Sequence, residues 1–516
     1  MSSLPSFLAA ASGPRGPSHD QRAACRSALA GAVALAVALG VGRFAFTPLL
    51  PLMLAGGELD IRHGGWLASA NYAGYFVGAM TCARIAVDPA RMVRAGLAAT
   101  VLLTFAMGLA SPFWVWALVR FVGGAVSAWT FVFASQWGLR RVVEHGAPAW
   151  GGVIYTGPGI GIVATGLIGF ALAGRHAALG WIGFAAASAV LTAFVWRAFG
   201  AAGAGTDGGQ SRGGAKRAGD GVGVADAAGR AGERLAAGAT GAAEGAEAVA
   251  DAVSAANVAD TADTANSANS ANSANSANSA NSANSANSAT ATAERNSPVA
   301  GVAGQHGAMA APAARAPHVE SAAARRDAFW LVLLYGLPGF GYIITATFLP
   351  VIARAALPAH SRWPDLFWPM FGAALIAGAL LGARLPSGWD NRLLLGACCA
   401  VQALGVALGI VWPTAPGFAL GSALVGLPFT AITLFAMREA RRLRGERAAG
   451  LMGYATASYG VGQIAGPLAA APLAAHAGSF SPALWLAATM LAVGAAGFAA
   501  VALRAWRAKT RGGGVG

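Results

Sequence analysis

Two arginines stand where an arginine is costly. Arg43 lies in the run Gly40-Val41-Gly42-Arg43-Phe44, close to the midpoint of a long apolar stretch. Arg120 opens Arg120-Phe121-Val122-Gly123-Gly124, about a turn and a half from the midpoint of another. In hydrocarbon each would cost about 2.5–3.5 kcal/mol on insertion scales. No Asp, Glu or His falls deep in any apolar stretch, so neither cation has a carboxylate of its own nearby in the sequence pattern. A relay of membrane-embedded carboxylates is missing for the same reason. A guanidinium fork grips a carboxylate with two parallel N–H donors. The chemistry on offer is therefore recognition of an anion. The alternative for each arginine is a tie to backbone carbonyls, and it weighs more for Arg120 than for Arg43.

The remaining polar groups at comparable depth are few. Tyr342 occupies the position equivalent to Arg43 in the second half of the chain and is expected to form a second wall of the site. Asn71, Tyr72, Tyr155, Tyr459 and Gln463 complete the set of candidate substrate-binding residues. Each could equally be an interhelical hydrogen bond, worth about 0.6 kcal/mol on average. Gly157, Pro158, Gly159, Gly161, Gly460 and Gly462 read as close helix packing or as gating points. They do not form a phosphate-cradling loop, because no strand–turn–helix context surrounds them. Cys25, Cys82, Cys398 and Cys399 show neither a disulfide framework nor metal-ligand spacing. No metal and no cofactor is expected.

The elements that must hold these groups are set by composition. Of 516 residues, 56% are hydrophobic and only 11% charged. A soluble chain carries roughly a quarter charged residues, so lipid must be the solvent for much of this one. A span needs about 20 mainly apolar residues. Six runs qualify early: about 28–54, 65–87, 93–110, 113–139, 150–173 and 179–199. Six more follow: about 328–352, 366–383, 393–412, 417–437, 449–471 and 482–503. The expected fold is an all-α membrane protein of about 12 helices in two pseudo-symmetric six-helix bundles. The expected divisions are a tail at 1–26, a bundle at 27–200, a linker at 201–325, a bundle at 326–505 and a tail at 506–516. The linker repeats Ala-Asn-Ser between Ala265 and Ser288 and carries too little apolar surface to offset the entropy of ordering it.

Charge fixes the expected orientation. The net charge of +14 does not form one patch, which argues against a nucleic-acid partner. Arg84, Arg91, Arg94, Arg140, Arg141, Arg384, Arg392, Arg438, Arg441, Arg442, Arg444 and Arg447 fall on one set of connections; only Arg62, Arg175, Arg354 and Arg362 fall on the other. By the positive-inside rule the first set is cytoplasmic, as are both termini, in a multi-pass protein of a bacterial inner membrane.

The two halves repeat each other at a shift of about 300 positions. Gly40-Val-Gly-Arg-Phe44 leading to Leu50-Pro51 matches Gly339-Phe-Gly-Tyr-Ile343 leading to Leu349-Pro350, and Gly159-Ile-Gly161 matches Gly460-Val-Gly462. Ala83-Arg84-Ile85 matches Ala383-Arg384-Leu385. This organisation resembles the major facilitator superfamily. The stretches GVGRFAFTPLLPLM at 40–53, WLASANYAGYFVGAM at 66–80, YGLPGFGYIITATFLPVIA at 335–353 and YGVGQIAGP at 459–467 resemble its YbfB/YjiJ-type branch. Arg120-x-x-x-Gly124 is similar to the superfamily's pattern in the fourth helix. The resemblance implies a charged latch in the cytoplasmic loops, here Arg84, Asp88 and Arg91 with Arg384, Asp390 and Arg392, although Cys82 stands where an Asp is expected.

The functional expectation is a secondary carrier rather than an enzyme. It would move a small molecule, a small organic anion being the first choice, by alternating access between two bundles. No Gly-x-x-x-x-Gly-Lys-Ser/Thr loop is present, so ATP is not the energy source. The coupling partner would be a proton or a counter-anion, and the carrier would work as a monomer in the lipid bilayer. The alternatives are an exporter of drugs or other non-anionic molecules, a non-transporting sensor or scaffold, and a lipid-modifying enzyme.

Overall fold

The computed structural model describes residues 19–85, 87–147, 150–200, 322–383, 385–386, 388–445 and 448–512. Most of the N-terminal tail, the expected linker as far as residue 321, Arg384, Arg447 and 513–516 lie outside the described residues. Twelve helices follow in order among them. The first set is α1 (Asp20–Ala55), α2 (Ile61–Thr81), α3 (Pro89–Leu109), α4 (Phe113–Glu144), α5 (Gly151–Ala171) and α6 (Ala177–Trp196). The second is α7 (Ala322–Ala356), α8 (Trp363–Ala383), α9 (Asn391–Val411), α10 (Ala415–Arg444), α11 (Ala448–Ala477) and α12 (Ser481–Gly512).

Ten of the twelve are long and apolar enough to cross a membrane; α2 and α11 are the two that are not. Both carry buried polar groups, among them Ser69 and Asn71 on α2 and Thr456 and Gln463 on α11. These two helices pack on each other across the seam between the sets, as do α5 and α8. Their polar groups meet protein, which relaxes the demand that lipid makes on an exposed span. The pairing is itself symmetric, since α8 repeats α2 and α11 repeats α5. Within the first set α4 packs on α1, α2 and α3, and in the second α9 packs on α10 and α12.

Element ends follow local chemistry. Asp60 caps α2 by accepting from the His63 backbone N–H at 2.8 Å, which starts that helix at Ile61 rather than at the expected Gly65. The helix also ends sooner than expected, at Thr81, through a short 3-10 turn over Cys82–Arg84. Asp88 then caps α3, with Pro89 in the first turn. α10 runs past the expected Met437 to Arg444 and stops at Gly445, whose φ of +53° suits glycine. α7 begins at Ala322, inside the expected linker.

α1 is not a uniform helix. It consists of an α segment that ends at Leu35, a π segment at Ala36–Val41, a turn, and a second α segment at Phe46–Ala55. Gly42 N–H donates to Val37 C=O at 3.0 Å and Phe44 N–H to Leu39 C=O at 3.1 Å. This widened stretch lies where α1 meets α5 backbone to backbone. A Cβ on Gly40 would run into the Gly161 backbone, and one on Gly161 into the Gly40 Cα. Arg43 sits on the irregular turn, a setting common for functional residues.

Candidate functional site

Arg43 is 1% exposed and faces α11 across the seam. Its Nη2 donates to Gln463 Oε1 at 2.9 Å, and Gln463 Nε2 donates to the Tyr342 hydroxyl at 2.5 Å. The guanidinium carbon lies 4.2 Å from the ring centroid of Tyr75, 5.0 Å from that of Tyr72 and 5.4 Å from that of Phe44. Aromatic faces thus supply part of the counter-charge. Nε and Nη1 of Arg43 are buried and have no hydrogen-bond partner. Among the described residues Arg43 makes no salt bridge.

Tyr342 stacks on Tyr459 at 5.8 Å, and Tyr459 on Tyr335 at 4.8 Å. The edge of Tyr342 meets Phe429 at 4.8 Å, and Phe429 meets Phe371 at 5.9 Å. Phe371 stacks on Trp368 at 5.1 Å, and Trp368 returns to Phe44 at 5.9 Å. From Arg43 through Gln463, Tyr342, Phe429, Phe371, Trp368 and Phe44 the contacts close into a circuit. α1 contributes two members, and α7, α8, α10 and α11 the others.

The structure brings Arg43, Tyr72, Tyr342, Tyr459 and Gln463 together. Tyr72 also bridges the halves, its hydroxyl lying 3.0 Å from Thr347 Oγ1. Arg120 adjoins this group but points its donors at backbone. Nη2 reaches Arg43 C=O at 3.3 Å, Nη1 reaches Gly42 C=O at 3.4 Å, and Nε reaches Leu67 C=O at 3.5 Å. Asn71 Nδ2 donates to Arg120 C=O at 2.9 Å. Arg120 and Asn71 therefore brace α4 against α1 and α2. Tyr155 lies apart, edge-on to Phe131. Phe44, Tyr75, Trp368, Phe371 and Phe429 were not singled out from sequence. Phe44 and Tyr75 had the signal of lying in the resembling stretches; the other three looked like ordinary apolar residues.

The glycines divide by partner. Gly157 and Gly161 meet α1, Gly462 meets the Gly336 carbonyl of α7, and Gly159 meets Ile376 of α8. Gly460 lies against the Phe76 ring of α2, a built Cβ falling 2.9 Å from it. Pro158 is buried in the first turn of the segment Gly157–Ala171, the longer of the two helical pieces of α5.

The seam changes along its length. On α2, residues 65, 69, 72, 76 and 80 share a face. Gly65, Ser69 and Tyr72 are buried, Phe76 is half-buried and Met80 is 45% exposed. On α8 the equivalent series runs from buried Pro369 and Gly372 through half-buried Ile376 to Leu380, 52% exposed. Thr47 donates to Ala346 C=O at 3.1 Å and Ser69 to Ile464 C=O at 2.8 Å, toward the buried end. At that end Arg362 also donates to Phe170 C=O.

At the arginine-rich end, the second set carries a charged cluster. Arg392 pairs with Asp390 at 3.0 Å, Asp327 at 3.3 Å and Glu439 at 3.6 Å; Arg442 pairs with Glu439 at 2.5 Å. Burial raises the Asp390 carboxyl, but its hydrogen bonds from Arg392 outweigh this and hold it below the ordinary carboxylate value. The first set differs. Asp88 serves as a helix cap, and Arg84 and Arg91 are exposed. Arg384 lies outside the described residues.

No curated protein matches the chain. A solved structure of the nucleoside transporter NupG (D323A mutant) is similar in fold, with a TM-score of 0.57 and 12% identity over 92% of this chain and 99% of that one. The family model described as "Uncharacterised MFS-type transporter YbfB" matches residues 35–219 and 282–498. With that match running through both helix sets, the chain belongs to the YbfB-type MFS transporters and is a multi-pass membrane transporter.

Proposed function

We propose that this transporter is a secondary carrier of a small organic anion, working by alternating access, with Arg43 as the anion-binding group. One observation carries the reading. Arg43 is a buried guanidinium at the seam, its Nε and Nη1 lack hydrogen-bond partners, and no carboxylate pairs with it among the described residues. A buried cation left in that state is expensive, and an anionic ligand relieves the cost. Gln463 occupies one of the five guanidinium N–H groups. A second N–H on Nη2 remains and can act with a neighbouring nitrogen to hold a carboxylate on two donors.

The graded seam supports the mechanism. Its buried end is held by bonds between the halves, while Met80 and Leu380 at the arginine-rich end are exposed. By the charge rule that exposed end faces the cytoplasm of a bacterial inner membrane. Coupling would come from a counter-anion or from a proton that the substrate itself carries.

The test is uptake of labelled small organic acids by proteoliposomes holding the purified chain and its Arg43→Gln variant. The expected result is uptake by the parent that the variant loses. Equal uptake by both would remove Arg43 from the site, and uptake of neutral compounds alone would remove the anion.

A further inference from the structure

We infer that the substrate is an aromatic monocarboxylate, whose ring enters between Phe44 and Trp368 while its carboxylate sits on Arg43. This rests on the anion reading of Arg43 and goes further by assigning the rest of the ligand.

The circuit of contacts around Arg43 has one aromatic contact that crosses the seam. It is Phe44 against Trp368, at 5.9 Å and 58°. Phe44 moves with Arg43 on α1, and Trp368 moves with its stacked neighbour Phe371 on α8. When the two halves part, the aromatic circuit opens at this contact, beside the unpartnered guanidinium nitrogens. A ligand that reseals the gap must present an anion to Arg43 and a flat surface to the rings on either side. Ring pairs favour centroid distances of about 4.5–7 Å. An inserted six-membered aromatic ring replaces one such contact by two, whereas an aliphatic chain regains only area.

A second unpartnered donor belongs to Trp368 itself, the ring on the far side of this contact. Trp368 is fully buried, and its indole Nε1 has no hydrogen-bond partner. An acceptor on the ligand ring, such as a hydroxyl or carbonyl oxygen, would satisfy it. The tyrosines behind the circuit reinforce the shape. Tyr459 and Tyr335 back Tyr342 as stacked rings tilted by 20° and 30°, so the second half presents a continuous aromatic surface.

The experiment measures thermal stability of the purified full-length chain in detergent against three probes. Benzoate has the ring and the charge, cyclohexanecarboxylate the charge alone, and benzyl alcohol the ring alone. Each ligand that binds the folded state raises the melting temperature by mass action. Benzoate should bind about tenfold more tightly than cyclohexanecarboxylate, from one to two added ring contacts. Benzyl alcohol should have no effect. Trp368→Leu should erase the preference for benzoate while keeping the response to both carboxylates. Where that variant does not fold, Phe44→Leu tests the opposite wall. Equal affinity for the two carboxylates in the parent overturns the aromatic assignment and leaves the anion site standing. No response to either carboxylate, or an equal response to benzyl alcohol, overturns the anion site as well.

Discussion

Arg43 and Arg120 carry the same charge within a few residues' depth of each other, yet their surroundings assign them different work. Arg120 spends its donors on three carbonyls of α1 and α2. Hydrogen bonds from a charged donor contribute about 1.5–3 kcal/mol each, so Arg120→Gln should lower unfolding stability by about 2 kcal/mol or more. It should leave the carboxylate response of the folded fraction intact. Arg43 has buried nitrogens with nothing to donate to. Arg43→Gln removes a poorly compensated cation and should unfold at no lower temperature than the parent, while losing the carboxylate response. Melting curves of the two variants with and without benzoate measure both effects. A reversed pattern, with Arg43→Gln unstable and Arg120→Gln unresponsive, would exchange their roles.

At the scale of elements, α1 depends on its contact with α5. An alanine at Gly40 would place a methyl against the Gly161 backbone, where no side chain can yield. Gly40→Ala should therefore destabilise by about 1–3 kcal/mol or more. Gly183 in α6 has nothing within 4 Å of a built Cβ, and Gly183→Ala should stabilise by about 0.5–1 kcal/mol. Denaturant titration in micelles separates the two. The cap of α2 adds a pH test. The backbone N–H of His63 holds the Asp60 carboxyl below its ordinary value. The ionised cap thus stabilises α2 at every pH above the ordinary carboxylate range, and this contribution is lost only as pH falls through the depressed value. Asp60→Ala should cost about 1 kcal/mol at neutral pH and progressively less in acid. Much of this level could be read from residue order. Apolar length revealed the helices, the shifted glycine pairs revealed the repeat, and the absence of intramembrane carboxylates isolated Arg43. The π segment at Ala36–Val41 could not be read, because it depends on a glycine 121 positions away in sequence. Trp368, Phe371 and Phe429 were equally hidden, since an aromatic among apolar neighbours carries no mark of what it faces.

For the whole molecule, what matters is that burial along the seam falls in one direction on both α2 and α8. Two helices related by the internal repeat lose their cover at matching positions, Phe76 with Ile376 and Met80 with Leu380. Lipid contact alone would also expose an apolar residue, so water access has to be measured rather than read from burial. With Cys25, Cys82, Cys398 and Cys399 replaced, single cysteines at Met80, Leu380 and Ser69 provide the comparison. A charged maleimide needs water to reach a thiolate and cannot cross the bilayer. It should label Met80→Cys and Leu380→Cys in inside-out vesicles and leave both untouched in intact cells, with Ser69→Cys slow in each. Labelling from the cell exterior would invert the orientation drawn from the arginines. No labelling from either side would mean that both residues face lipid, and the two halves would then lack a water-filled cleft on the arginine-rich side. Equal labelling at both symmetric positions is the demanding outcome, because a single opened loop would expose one helix alone, whereas a rocking pair of bundles must expose both.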